Sequence, residues 1–218
     1  MSTPNLYLDG LILAAAAYPS GFSYSLFTLR RPAPGEVSVP FLATLVLPYL
    51  AVALAVLALR PGLLSWTGAP APFFLAAVLL APFALAVEYG IHAVAARLAT
   101  GRFPRGITLP GFWRRGPSPA GGLLLVLIVV GEEILYRQLW LGALHGSLGL
   151  ALPLALLASA LAYGLNHLAF GATSVVAKTV TGLLLGGLYL AGGSLWPPIV
   201  AHGLQNLALF GLARERGR

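Results

Sequence analysis

Cysteine is absent from the 218 residues. Thiol nucleophiles, thiolate metal sites and disulfides are excluded with it. Aspartate is nearly absent. Asp9 is the only one, so the paired aspartates of an intramembrane aspartyl protease cannot be assembled. Charge of either sign is scarce as well. Only 9% of residues are Asp, Glu, Lys or Arg, where a soluble domain carries about 25%. What fills the space is apolar, 58% of the chain. The composition therefore gives an all-α polytopic transmembrane helix bundle, one membrane domain over residues 1–218, with the lipid bilayer as its surroundings. The formal charge is +7, but the basic residues lie mainly in predicted loops. They read as topology signals, and no nucleic-acid partner is expected.

A spanning helix needs roughly 20 apolar residues. The first candidate, Leu6 to Leu29, is interrupted by Pro19-Ser20-Gly21. It has no basic n-region ahead of it and no clear cleavage site behind it, so it reads as a membrane helix rather than a removed signal peptide. Val39 to Leu59 and Phe73 to Ala96 follow, with Pro48 and Pro82 inside them. Residues 97–119 form a long connection rich in arginine, with Phe112 and Trp113 beside Arg114 and Arg115, which suits a membrane surface. A fourth helix starts near Ala120. His145-Gly146-Ser147 reads as a turn. Further helices are expected over Leu150 to Phe170, Val176 to Leu190 and from Trp196 onward, Pro197 and Pro198 suiting a first turn. The total is seven helices, or six if the first segment is re-entrant.

Polar residues inside these runs are costly and few. Glu132 and Glu133 follow eight aliphatic residues, Leu123 to Val130, and Arg137 comes four later. Tyr163 and His167 are four apart in the next helix, and His202 and Asn206 four apart in the last. A spacing of four puts each pair on one helical stripe. Turned inward, the stripes gather two carboxylates, two imidazoles, an amide and a guanidinium. Adjacent helical residues point about 100° apart, so Glu133 can pair with Arg137 while Glu132 is left free as a general base acting on water. One histidine can share that water. The other, with the asparagine, can donate to an oxyanion. These parts suffice for amide hydrolysis. Glu88 and His92 share a face of the third helix and read as an interfacial or structural pair.

The order Glu-Glu-x-x-x-Arg, aromatic-x-x-x-His, His-x-x-x-Asn, each in its own membrane helix, resembles the CPBP intramembrane proteases. These include the Rce1-type CAAX prenyl endopeptidases and the bacteriocin-processing or Abi proteins. Residues 123–209 carry the resemblance, within a motif-bearing core of about 120–211. It implies an intramembrane endopeptidase acting on a peptide or protein at the membrane. It implies Glu132 as the base, His167 as its partner on the water, and His202 and Asn206 as oxyanion donors. Glu133, Arg137 and Tyr163 become supports of the site. Tyr163 stands where the family often has Phe, and Gln138 where it often has Gly.

No cofactor is the first expectation. Zinc is the alternative, with Glu132, His167 and His202 as ligands, since carboxylate and imidazole are ordinary zinc donors. No His-Glu-x-x-His is present, and Gly192-Gly193-Ser194-Leu195 fails the Gly-x-Ser-Gly of a rhomboid-type protease. Two non-enzymes compete with hydrolysis: a proton-coupled transporter, and a non-catalytic membrane binding or immunity protein. Transporters commonly carry internal repeats, and none is evident.

On the seven-helix parse one side of the membrane receives Arg30, Arg31, Arg97, Arg102, Arg105, Arg114, Arg115, Lys178, Arg214, Arg216 and Arg218, and the other Arg60 alone. Basic loops stay in the cytoplasm, so a cytoplasmic C-terminus is expected, in the inner membrane of a bacterial cell. Single cysteines introduced at Arg102 and Arg216 should then react with an impermeant thiol reagent from the same side. Labelling from opposite sides would refute the parse.

Overall fold

Four segments are long and apolar enough to cross a membrane: Val39–Leu59, Ala71–Thr100, Pro119–Ser147 and Ala172–Gly192. The computed structural model describes residues 6–21, 23, 25, 39–104 and 118–215. Within them the helices are α1 (Leu6–Ala15), α2 (Val39–Leu59), α3 (Ala71–Thr100), α4 (Pro119–Glu133), α5 (Leu152–Leu165), α6 (Ala172–Gly192) and α7 (Trp196–Glu215), with no strand among the described residues. The expected all-α membrane bundle is present. Large apolar side chains such as Leu47, Leu54, Leu75 and Leu79 point outward. In a bilayer these meet lipid, and only polar groups need the interior.

Helix ends depart from the sequence reading in four places. The first segment is broken: α1 stops at Ala15, and the chain turns helical again only at Pro19. Ten residues make about 15 Å of helix, half the hydrocarbon thickness. α4 does not turn at His145. It winds on through π-helical stretches at Ile134–Trp140 and Ala143–Ser147. The reversal comes at Gly149, whose φ of 69° favours glycine. There the Leu150 N–H closes on the Leu144 carbonyl at 2.9 Å. α5 ends at Leu165, before His167. α6 begins at Ala172, which moves Lys178 from the loop into the helix.

Lys178 is there because Glu88 is. The Glu88 carboxylate, buried on α3, accepts from Lys178 Nζ at 2.7 Å and from Thr181 Oγ1 at 2.8 Å. Glu88 thus ties α3 to α6, and its salt-bridge partner is Lys178 rather than His92. A second clasp joins Asp9 of α1 to Arg60 beyond α2 at 2.6 Å.

The apolar core falls into two groups. One gathers Ile12, Phe41, Tyr49, Leu125, Tyr136 and Tyr163 from α1, α2, α4 and α5. The other gathers Ala77, Leu185, Leu188 and Ala201 from α3, α6 and α7. α5 and α6 join them as a hairpin whose backbones nearly touch. A Cβ on Gly164 would lie 2.7 Å from the Val175 carbonyl oxygen, and one on Gly182 3.0 Å from Ala160 Cα. Small residues of this kind let membrane helices approach. Gly187 of the same helix faces open space. Gly164→Ala should therefore cost about 1–3 kcal/mol by forcing the hairpin apart, and Gly187→Ala should cost nothing. Thermal unfolding of both variants in detergent checks the contrast.

Candidate active site

The polar residues converge where α4, α5 and α7 meet. Glu133 and Arg137 are fully buried one turn apart. Arg137 Nε donates to Glu133 Oε2 at 2.9 Å, the pairing that the spacing predicts. The guanidinium also stands over the Tyr163 ring, 5.3 Å from its centroid, within cation–π range. The other Glu133 oxygen, Oε1, lies 2.8 Å from His202 Nδ1. An ionised carboxylate only accepts, so Nδ1 carries the hydrogen. This directs Nε2 to the opposite side, where it meets the Tyr163 hydroxyl at 3.2 Å and Glu132 Oε2 at 3.6 Å.

Glu132 is therefore close to His202, but it is not free. Its Oε1 accepts from the Tyr49 hydroxyl of α2 at 2.8 Å. Asn166 Nδ2 lies 3.5 Å from the same oxygen and donates to the Tyr49 hydroxyl at 2.7 Å. Only Oε2 faces the seam toward His202. The two adjacent carboxylates thus have separate partner sets, as their 100° offset requires.

His167 follows the end of α5. Its Nδ1 bonds back to the Tyr163 carbonyl at 3.0 Å, and its ring packs edgewise on the Tyr163 ring with centroids 5.1 Å apart. It joins the cluster through Tyr163, without a hydrogen bond to Glu132 among the described residues. Asn206 lies half-buried one turn beyond His202 on α7, and it makes no hydrogen bond to the cluster among the described residues. The stripe of α7 brings in His202 alone.

Two members of the cluster were not singled out in the sequence. Asn166 stands beside His167 and is itself an amide in an apolar run, which is signal enough. Tyr49 had no such mark, because a lone tyrosine after Pro48 looks like core. Gly131 is the hidden sign. A Cβ there would lie 2.7 Å from Tyr49 Cβ, so the glycine before the two glutamates admits Tyr49 against α4. The π-helical turn opens directly after Glu133, and such turns occur frequently at functional sites.

The zinc alternative needs Glu132, His167 and His202 to point at one place. Among the described residues no three His, Asp or Glu side chains are arranged as a ligand set. Both ring nitrogens of His202 face protein partners, Glu133 and Tyr163. The donor set as arranged does not fit a zinc ion, and no step below is routed through one.

Comparison with known proteins gives one match. Residues 114–208 match the family model described as type II CAAX prenyl endopeptidase Rce1-like. The match spans all three motifs and leaves out α1 to α3, Tyr49 included. No curated protein and no solved structure matches the chain.

Removing one partner of a buried ion pair strands the other and typically costs about 3–5 kcal/mol. Arg137→Ala should destabilise the fold on that scale. Arg137→Lys should recover only part, since an ammonium cannot reproduce the guanidinium geometry. Denaturant titration in detergent measures both.

Proposed function

We propose, from the match of residues 114–208 to the Rce1-like family model, that the chain is an intramembrane endopeptidase in which Glu132 activates water against a peptide carbonyl. One observation carries the reading. Glu132 Oε2 and His202 Nε2 face each other across 3.6 Å in a buried seam. That separation is long for a direct hydrogen bond, and a water seated beside the pair could touch both atoms.

The Glu132 carboxylate takes one proton from this water as the water oxygen attacks the carbonyl carbon. The C–O bond forms and the carbonyl π electrons become an oxyanion. When the oxyanion collapses, the C–N bond breaks, and the proton held by Glu132 passes to the leaving nitrogen. An acid and an amine leave, and the carboxylate is restored. His202 and Asn206 are the oxyanion donors in this reading, and His167 is the partner of Glu132 on the water. Glu133 and Arg137 hold the His202 ring, and Tyr163 gives it a second contact. A dry site strengthens each of these charge interactions. The substrate is a peptide or protein segment presented at the membrane.

The test is cleavage of a fluorogenic peptide library by the purified protein in detergent, with and without a chelator. Glu132→Ala should abolish cleavage. Asn206→Ala should leave a trace, because one oxyanion donor is typically worth about 10²–10³-fold. Wild-type cleavage should survive the chelator. Loss of activity there would recast Glu132, His167 and His202 as metal ligands. Absence of any cleavage, together with proton-coupled flux in liposomes, would make the protein a transporter instead.

A further inference from the structure

Glu132 is approached from a side that no motif covers. Tyr49 stands on α2, outside residues 114–208. Its hydroxyl donates to Glu132 Oε1 and accepts from Asn166 Nδ2. Asn166 Oδ1 accepts the backbone N–H of Ser20 at 2.9 Å, and the Ser20 hydroxyl bonds the Asn166 carbonyl. Four separate segments thus form one chain of hydrogen bonds, Ser20 to Asn166 to Tyr49 to Glu132. All four residues are buried.

The chain has a direction. A backbone N–H only donates, so Ser20 assigns the carbonyl oxygen of the Asn166 amide to its own side. That turns the amide nitrogen toward Tyr49. An NH₂ group only donates, so the Tyr49 oxygen accepts from it and points its own hydrogen at the carboxylate. The order cannot be reversed without leaving a buried donor facing a donor. Packing enforces the same placement. Gly131 has no side chain, and any Cβ there would collide with Tyr49 Cβ at 2.7 Å. α2 is therefore pressed to α4 one residue before Glu132.

We infer that Tyr49 is a positioning residue for hydrolysis, and that the chain through Asn166 and Ser20 selects Oε2 of Glu132 as the oxygen that takes the proton from water. Oε1 is occupied by the Tyr49 hydrogen. Oε2 is left toward His202, the side on which the proposed mechanism puts the water. The effect on rate rests on the endopeptidase reading; the hydrogen-bonded chain does not.

The test uses the full chain in detergent. Tyr49→Phe keeps the ring against Gly131 and removes only the hydroxyl. It should lower kcat about ten- to a hundredfold, the worth of one hydrogen bond to a charged group, with KM unchanged. Asn166→Ala should lower kcat less, and the double variant should be no slower than Tyr49→Phe alone, because both act through one chain. A second readout needs no turnover. The infrared carboxyl bands that vanish in Glu132→Gln identify Glu132, and both Tyr49→Phe and Asn166→Ala should displace them. Wild-type kcat in Tyr49→Phe, losses that multiply in the double variant, or unmoved Glu132 bands would each overturn the proposal. If Tyr49→Phe does not fold, Asn166→Ala decides by kcat and band position. Cleavage that persists in Glu132→Gln would sink the reading of Glu132 as the base, while the infrared bands would still decide on the hydrogen-bonded chain.

Discussion

Two neighbouring carboxylates cannot both be carried into the middle of a membrane bundle on the same terms. A buried charge is costly unless paired and fully hydrogen-bonded, and two of one sign repel. The bundle compensates them differently. Glu133 has a guanidinium on one oxygen and an imidazole on the other. Glu132 has neutral donors, Tyr49 and Asn166, on one oxygen only. The first arrangement uses up the carboxylate as a structural anion. The second leaves an oxygen with lone pairs toward His202. The asymmetry between adjacent glutamates is what makes one a support and the other a candidate base.

The rest of the bundle serves that asymmetry. Glu132 reaches Tyr49 because Gly131 lets α2 close on α4. Tyr163 reaches His202 because α5 is held by the tight hairpin with α6, where Gly164, Gly182 and Gly186 face the partner helix. α5 stops at Leu165, and the chain it frees carries Asn166 to Tyr49 and folds His167 back on Tyr163. The Glu88–Lys178 bridge locks α3 to the other side of α6. The close approaches at Gly131, Gly164, Gly182 and Gly186 are made by residues with no side chain.

What the sequence discloses is what lies within one helix. Glu133 and Arg137 are readable as a contact because four residues make one turn. The scarcity of charge makes a membrane bundle readable, and the three motifs make the match to the Rce1-like family model readable. What it conceals is register between helices. Nothing local tells that Tyr49 stands level with Glu132, or that Lys178 stands level with Glu88. His167 shows a subtler limit. A spacing of four from Tyr163 implies a stripe, but the helix ends between them. The link survives as a ring nitrogen on a backbone carbonyl rather than as two side chains side by side. Asn206 shows the converse: it keeps its helical spacing from His202, yet among the described residues it makes no hydrogen bond to the cluster.

The tautomer of His202 carries the chemistry one step further. Its Nδ1 hydrogen is fixed on Glu133, so in the neutral ring Nε2 holds a lone pair, and the Tyr163 hydroxyl is the donor to it. A neutral ring held in this way cannot also donate from Nε2 to an oxyanion. Under the proposed mechanism His202 must therefore receive a proton before it can act as a donor, or Tyr163 must turn its hydrogen to the oxyanion in its place. A phenylalanine at this position would allow only the first route. Tyr163 allows both, because its hydroxyl already stands 3.2 Å from Nε2. Under that mechanism the Tyr163 hydroxyl lies where the proton inventory would be settled, and the ring beneath it supplies the packing that phenylalanine would supply.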